Sequence, residues 1–306
     1  MLSSSLGGKA FCRAKIPIIL KRHEHPLYMA SICLDMVLDL AFEKLEGTSP
    51  ERAIAFLHGI LGRGVNLRAI ARRIIAARPE LRALLVDLRG HGRSPKGSAS
   101  PSLESAARDV VELAAKAGLP LSAIVGHSFG GKVALEAARL GGLPDLRHVV
   151  VIDSVPGPRE PVRGGDSALA VIETLESLPP SFASKADFVH AVVTAGQSRF
   201  MAEWLATSLE NDNGHLRFGL DLNEIRALIL DYFRRDLWPV VEHPPGAVNV
   251  HLIIAAQSDT YSAADRDRAV RIAASNPRVT ADIIPGGHLL HVDNPDGLME
   301  RLLARC

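Results

Sequence analysis

One serine stands in a setting that could make it a nucleophile. Ser128 is the centre of Gly-His-Ser-Phe-Gly at residues 126–130, which follows an apolar stretch and precedes an alanine-rich one. A serine at a tight turn from strand to helix has strained backbone angles and exposes its Oγ above the sheet, so its neighbours must be small. The N–H groups of the following helix point to the same place and favour a developing oxyanion. The pattern predicts nucleophilic catalysis by Ser128.

A general base for this serine is predicted near the C terminus. Residues 283–291 read Ile-Ile-Pro-Gly-Gly-His-Leu-Leu-His, a strand-like run followed by a glycine-rich loop with two histidines. We favour His288, because the two glycines hold it in the loop, over His291, which lies nearer the next helix. Two histidines could instead bind a metal, but no Glu or Cys nearby completes a ligand set. We therefore predict no metal site.

Two aspartates could orient the histidine. Asp259 follows the apolar run 249–254, and Asp153 follows the apolar run 149–152. Either carboxylate could hold the imidazole tautomer and stabilise the imidazolium. We favour Asp259, and the remaining aspartate would then be a loop hydrogen-bonding group.

Two backbone donors are needed to hold an oxyanion. The N–H of Phe129, next to Ser128, would be one donor. The second would come from the loop at residues 56–62, Phe-Leu-His-Gly-Ile-Leu-Gly, where we favour the N–H of Ile60 over that of Leu61. In this loop His58 is expected to act by hydrogen bonding.

A further glycine-rich motif has no obvious reactant. It occupies residues 86–95, Val-Asp-Leu-Arg-Gly-His-Gly-Arg-Ser-Pro. Its glycines predict a tight loop, in which Asp87, Arg89 and His91 are expected to fix the backbone. The sequence contains neither Gly-x-Gly-x-x-Gly nor a P-loop motif, so we predict no cofactor.

The elements that position these residues alternate between strands and helices from residue 54 onward. Near-continuous apolar runs predict buried parallel strands at residues 53–57, 83–86, 123–125, 149–152, 249–254 and 280–283. Residues 36–45 are expected to add an antiparallel edge strand. Amphipathic stretches between the runs predict helices at 65–77, 102–117, 132–140 and 264–274. The fold class is therefore predicted as α/β, with helices on both faces of a mostly parallel sheet.

One interval, residues 156–245, is too long for a plain crossover and is predicted to be a helical cap inserted into the core. It contains most of the aromatic residues, which could form an apolar pocket wall: Phe182, Phe188, Phe200, Trp204, Phe218, Tyr232, Phe233 and Trp238. The core is expected at residues 36–155 and 246–306. Residues 1–35 are expected to be a poorly ordered N-terminal extension.

The overall composition favours a small, fairly neutral substrate. Lys and Arg number 35 against 34 Asp and Glu, so no overall field would attract nucleic acid or an anionic membrane. Three scattered cysteines give no disulfide framework, which favours a reducing, cytoplasmic location. No apolar run approaches the roughly 20 residues that span a bilayer.

Together, His58-Gly59, the motif at 87–94, Gly126-x-Ser128-x-Gly130-Gly131 and Gly287-His288 occur in the order seen in the α/β-hydrolase superfamily. The chain resembles its small esterase-like members with a helical cap. The resemblance implies a serine hydrolase that cleaves a small-molecule carboxylic ester or related acyl bond through an acyl-enzyme.

Two alternatives remain open. The same residues could perform carbon–carbon bond hydrolysis or elimination, which would need cap arginines such as Arg199, Arg217 or Arg235 directed at an acidic substrate. The chain could also be a low-turnover binding or receptor protein.

Overall fold

The computed structural model describes residues 39–161 and 167–305, so the predicted extension at residues 1–35 lies outside the described part. Nine strands are present in that part: β1 (Phe42–Glu46), β2 (Arg52–Leu57), β3 (Leu81–Val86), β4 (Leu121–His127), β5 (His148–Ile152), β6 (Leu209–Asp212), β7 (His215–Phe218), β8 (Asn249–Ala255) and β9 (Val279–Ile284). Seven of them form one sheet in the order β1-β3-β2-β4-β5-β8-β9. All neighbours are parallel except β1, which pairs antiparallel with β3. The predicted sheet, with its antiparallel edge strand, is confirmed.

Eleven α-helices accompany the strands in the described residues. They are α1 (Arg68–Ala77), α2 (Leu103–Ala117), α3 (Phe129–Leu140), α4 (Ala168–Ser177), α5 (Lys185–Thr194), α6 (Arg199–Leu205), α7 (Leu222–Arg234), α8 (Trp238–Glu242), α9 (Ala263–Ser275), α10 (Leu290–Asp293) and α11 (Pro295–Leu303). Their ends follow local chemistry. In α2, for example, the Ser102 side chain accepts a hydrogen bond from the Ser105 N–H, and Gly118 ends the helix at a φ of 58°.

Both faces of the sheet are covered. Apolar side chains of α1 and α11, such as Ile74 and Leu298, pack on one face. Those of α2 and α3, such as Val110 and Val133, pack on the other. Every residue of β4 is buried as a result, which explains why the central strands are apolar without alternation. The sheet is therefore a rigid base for the loops at its carboxyl edge.

Residues 156–245, here called the cap segment, connect β5 to β8. Their described part contains α4–α8 and a small antiparallel hairpin of β6 and β7. The prediction of helices did not include this hairpin. Its turn is Asn213-Gly214, with φ of 52° and 88°. Asn-Gly between short strands is a strong hairpin signal, so the sequence did contain the information.

Candidate active site

Ser128 lies at the turn between β4 and α3, in a strained backbone conformation. Its φ of 52° is unusual for a residue other than glycine. The turn is held from both sides, because the Ser128 N–H donates to the Ile152 carbonyl at 2.9 Å and the Gly131 N–H donates to the Ser128 carbonyl at 2.8 Å. The neighbouring glycines are sterically required, since a Cβ on Gly126 would lie 2.1 Å from the Gly130 carbonyl oxygen. The predicted tight turn is present.

His288 follows β9, and its ring is held by Asp153. The Nδ1 atom of His288 lies 2.7 Å from Oδ2 of Asp153, which is fully buried after β5. The other oxygen, Oδ1, accepts the Ala255 N–H at 3.0 Å. A carboxylate in this position fixes the proton on Nδ1 and leaves Nε2 as the basic nitrogen.

The sequence analysis favoured Asp259, but the aspartate that contacts the His288 ring is Asp153. Asp259 lies four residues beyond the end of β8, and its side chain is exposed at the cavity that also contains Ser128. Its neighbour Thr260 is the residue that approaches the histidine, with Oγ1 3.2 Å from Nδ1 of His288. Asp153 is closer because it turns directly at the strand end, with a φ of 43°.

His127 has a supporting position that the sequence analysis did not identify. Its Nε2–H donates to the backbone carbonyl of His288 at 2.8 Å, so the residue before Ser128 holds the loop of the candidate base. Burial, with the charge of His288 as a further cause, lowers the pKa of His127 well below its ordinary value. His127 therefore remains a neutral donor. The sequence feature that could have identified this role is the position of His127 as the first variable residue of Gly-x-Ser-x-Gly.

The second histidine of the C-terminal loop is placed differently. His291 lies in α10, with its ring 5.1 Å from that of His127, and lines the same cavity. Burial, with the charge of His288 second, lowers its pKa to about 4. Of the two histidines, only His288 contacts Asp153. The preference for His288 therefore agrees with the geometry.

The loop that contains Ile60 lies beside Ser128. A Cβ on Gly59 would lie 3.3 Å from the Cβ of Ser128, which shows how closely the two loops approach. The Leu61 N–H donates to Nε2 of His91 at 3.2 Å and is therefore occupied. The Ile60 N–H makes no hydrogen bond to another described residue. At the start of α3 the N–H of Phe129 has no partner within the helix. These two donors are available to an oxyanion.

Two buried histidines fix this loop against the motif at residues 86–95. His58 accepts the Leu88 N–H on Nε2 at 3.0 Å and donates from Nδ1 to the Gly59 carbonyl at 2.7 Å. His91 likewise accepts the Leu61 N–H on Nε2 and donates from Nδ1 to the Arg89 carbonyl. Burial lowers the pKa of His58 to about 4 and that of His91 to about 3, so both are neutral. Both histidines are supporting residues.

The other polar residues of the motif also fix the backbone. Asp87 accepts the Gly64 N–H at 2.8 Å and the Arg93 N–H at 3.0 Å. Arg89 forms a buried two-point ion pair with Asp109, with contacts of 2.6 and 2.9 Å. These contacts agree with the roles expected for Asp87 and Arg89.

A cavity of about 650 Å³ lies over the carboxyl edge of the sheet and contains both Ser128 and His288 in its lining. Half of the cap-segment aromatics line it, namely Phe200, Trp204, Tyr232 and Phe233. The others pack within the segment or on the core. Phe188, for example, is buried between the rings of Phe182 and Phe218, at centroid distances of 5.2 and 6.1 Å. The expected apolar wall is therefore formed by only some of these residues.

The cap segment is tied to the core by a buried lysine. Lys132, on α3, donates to the backbone carbonyls of Gly157, Tyr232 and Arg235 at 2.7, 2.7 and 2.8 Å. Its ammonium also lies 4.5 Å from the centre of the Tyr232 ring. Burial lowers its pKa to about 7. One side chain, four residues after Ser128, thus holds the start of the cap segment and the C-terminal end of α7.

The three cap arginines considered for an acidic substrate lie elsewhere. None of them is in the described lining of the cavity. Arg199 pairs with Glu203 and is 79% exposed, and Arg217 pairs with Asp212. Arg235 pairs with Asp231 and Glu104. Each of them is therefore already paired with an acidic side chain.

Comparisons with known proteins agree on the fold and on the type of enzyme. Residues 54–301 match the model of the "Alpha/beta hydrolase family". The chain is 30% identical to the sn-1-specific diacylglycerol lipase ABHD11 of Mus musculus, over 86% of this chain and 83% of that protein. It is 24% identical to a putative esterase/lipase of Haemophilus influenzae, over 85% of each. A solved marine microorganism esterase is 26% identical, with a TM-score of 0.74, over 88% of this chain and all of that one.

Proposed function

The chain belongs to the alpha/beta hydrolase family, and we propose that this hydrolase, which acts on ester bonds, attacks them with Ser128. In the proposed mechanism His288 is the general base and then the general acid. Asp153 holds the imidazole, and the N–H groups of Phe129 and Ile60 bind the oxyanion. The observation that carries the proposal is the 2.7 Å contact between His288 and Asp153 beside a serine in a strained turn.

In the acylation step, Ser128 Oγ forms a bond to the ester carbonyl carbon while Nε2 of His288 takes its proton. Charge develops on the carbonyl oxygen and is stabilised by the two N–H groups. When the tetrahedral intermediate collapses, the carbon–oxygen bond to the alcohol breaks and His288 returns the proton to the leaving oxygen. Water then attacks the acyl-enzyme with His288 again as the base, which releases the carboxylic acid and restores Ser128.

The lining of the cavity supports an ester with a substantial apolar part. Val171, Met201, Trp204 and Ile229 contribute apolar surface, and such surface is the usual basis of small-molecule affinity. The mouse relative is named a diacylglycerol lipase and the bacterial one an esterase/lipase. Both names are compatible with an acyl ester as the substrate of this chain.

Hydrolysis of p-nitrophenyl hexanoate by the purified protein and by Ser128→Ala tests the proposal. We expect kcat to fall by about 10⁵-fold or more in the variant, because nucleophilic catalysis is lost. Unfolding in urea should show that the variant is folded, since Ser128 is replaced by a smaller residue at a solvent-facing cavity. Turnover by a folded Ser128→Ala at the wild-type rate would refute the proposal.

A further inference from the structure

One arginine of the cavity lining, Arg159, has no part in the proposed mechanism. Arg159 follows β5 at the start of the cap segment, is partly buried and lines the cavity that contains Ser128 and His288. Its backbone N–H donates to the Phe233 carbonyl at 2.9 Å, and its guanidinium carbon lies 5.9 Å from the centre of the Phe233 ring. The backbone and the charged end of Arg159 thus both lie near Phe233.

The charge of Arg159 is not neutralised within the described part of the protein. No described carboxylate forms an ion pair with it, and its only described side-chain hydrogen bond is a long one, 3.4 Å, from Nη1 to the carbonyl of Thr260. The contrast with the three cap arginines is clear, because each of those has an acidic partner. Within the part of the chain that the structure describes, most guanidinium donors of Arg159 therefore have no partner.

The contact with Thr260 also places Arg159 near the candidate base. The Thr260 carbonyl accepts the hydrogen bond from Arg159, and Oγ1 of the same residue lies 3.2 Å from Nδ1 of His288. A group bound by Arg159 would accordingly lie in the same cavity as the reacting ester and could be part of the same molecule. Neither acidic side chain of the described cavity lining forms an ion pair with Arg159, since Asp259 is exposed and Asp293 accepts the Gly287 N–H at 3.0 Å.

A guanidinium with no described acidic partner, in a largely apolar cavity, favours an anionic ligand group. Its planar donors match the two oxygens of a carboxylate, and the charge-assisted bonds are stronger where water is excluded. The substrate must still have an apolar part to contact residues such as Trp204 and Ile229.

We propose that Arg159 is a specificity residue that binds a carboxylate on the substrate, so that the preferred substrates are esters with an apolar chain and one anionic end. This inference rests on the proposed ester hydrolysis and adds the charge of the substrate to it. Under this inference the arginine that contacts an acidic substrate is Arg159, and not Arg199, Arg217 or Arg235.

The test compares p-nitrophenyl monoesters of adipic and suberic acid with their neutral counterparts, p-nitrophenyl methyl adipate and p-nitrophenyl methyl suberate. Each pair differs in the terminal charge. We expect Arg159→Gln to lower the ratio of kcat/KM for the acid to that for the methyl ester at least about tenfold, as expected for the loss of a charged hydrogen bond. The loss should be mainly in KM, and Arg159→Lys should restore part of the ratio.

Arg199→Gln is the matched control, since Arg199 is an exposed cap arginine outside the cavity lining. It should leave the ratio unchanged. An unchanged ratio in Arg159→Gln would overturn the inference. If kcat/KM also fell equally for both esters, the role of Arg159 would be structural. Both of these results would leave ester hydrolysis intact. Failure of the proposed function would appear differently, as wild-type protein that hydrolyses none of the four esters.

Discussion

The Nδ1 atom of His288 lies 2.7 Å from Oδ2 of Asp153, a carboxylate with no exposed surface. The contact joins the loop after β9 to the end of β5, two strands that are separated in the sheet by β8. Hydrogen bonds from the Ala255 N–H to Asp153 and from His127 to the His288 carbonyl hold the pair in place. The roles proposed for Ser128, His288 and Asp153 all depend on this arrangement.

The first prediction separates the two aspartates. Asp153→Asn should lower kcat for p-nitrophenyl hexanoate by about 10³–10⁴-fold, because an amide cannot hold the Nδ1–H tautomer or stabilise the imidazolium. Asparagine tolerates the positive φ of this position, so the fold should persist. Asp259→Asn is the matched control and should change kcat by less than about threefold. A larger loss in Asp259→Asn than in Asp153→Asn would contradict the assignment.

The reason that the sequence left this choice open is geometric. Asp153 and Asp259 follow strands that are neighbours in the sheet, since Ile152 pairs with Ile253. Both positions therefore satisfy the expectation of an acid at the carboxyl edge. The deciding factor is the turn after each strand: Asp153 turns at once with a φ of 43°, whereas the chain after β8 continues to an exposed Asp259. Backbone angles of this kind cannot be read from residue types.

The buried strands and the position of Ser128 were easier to predict from the sequence. The apolar runs located the buried strands because strands covered on both faces are apolar at every position. The position of Ser128 followed from glycines that the turn sterically requires. In contrast, the direction of each cap-segment side chain depends on how the helices pack together. Spacing alone therefore could not separate Phe200, which lines the cavity, from Phe188, which is buried within the segment.

A second prediction concerns Gly59. A Cβ at this position would lie 3.1 Å from Nδ1 of His127 and 3.3 Å from the Cβ of Ser128. Gly59→Ala should therefore displace the loop that contains the Ile60 N–H and lower kcat by about 10²-fold, similar to the loss of one oxyanion donor. Steady-state kinetics measures the effect, and urea unfolding shows whether the protein is still folded. Wild-type kcat in this variant would argue against the proposed position of the oxyanion.

The third prediction concerns the attachment of the cap segment. Lys132→Met should lower the free energy of unfolding by about 3 kcal/mol or more, because three carbonyls, two of them in buried contacts, lose their donor. Urea denaturation measures this loss. Lys116→Met is the control, since Lys116 is a partly exposed lysine of α2 paired with Asp39, and its replacement should cost less than about 1 kcal/mol. Equal effects of the two substitutions would contradict the role assigned to Lys132.

A fourth prediction concerns pH and the two buried histidines His58 and His91. Burial lowers their folded-state pKa values to about 4 and about 3, whereas the ordinary value is 6.5. Between these values the unfolded chain binds more protons than the folded chain, so stability is present above pH 6.5 and is lost as the pH falls. Each histidine contributes a slope of up to about 1.4 kcal/mol per pH unit.

Urea unfolding between pH 7 and pH 4.5 measures this slope. His91→Gln should be less stable than the wild type at pH 7, because its hydrogen bonds are altered, but its stability should fall less steeply with acid. A slope in His91→Gln as steep as that of the wild type would show that His91 is not held neutral in the folded protein.

The central claim is that Ser128 is the nucleophile, and covalent labelling tests it most directly. The protein is treated with an alkyl fluorophosphonate, digested, and mapped by peptide mass spectrometry while residual esterase activity is measured. We predict one phosphonyl group per chain on Ser128, formed in proportion to the loss of activity, and much slower labelling in Asp153→Asn. Complete inactivation with the label on another residue, or full activity with Ser128 labelled, would contradict the account.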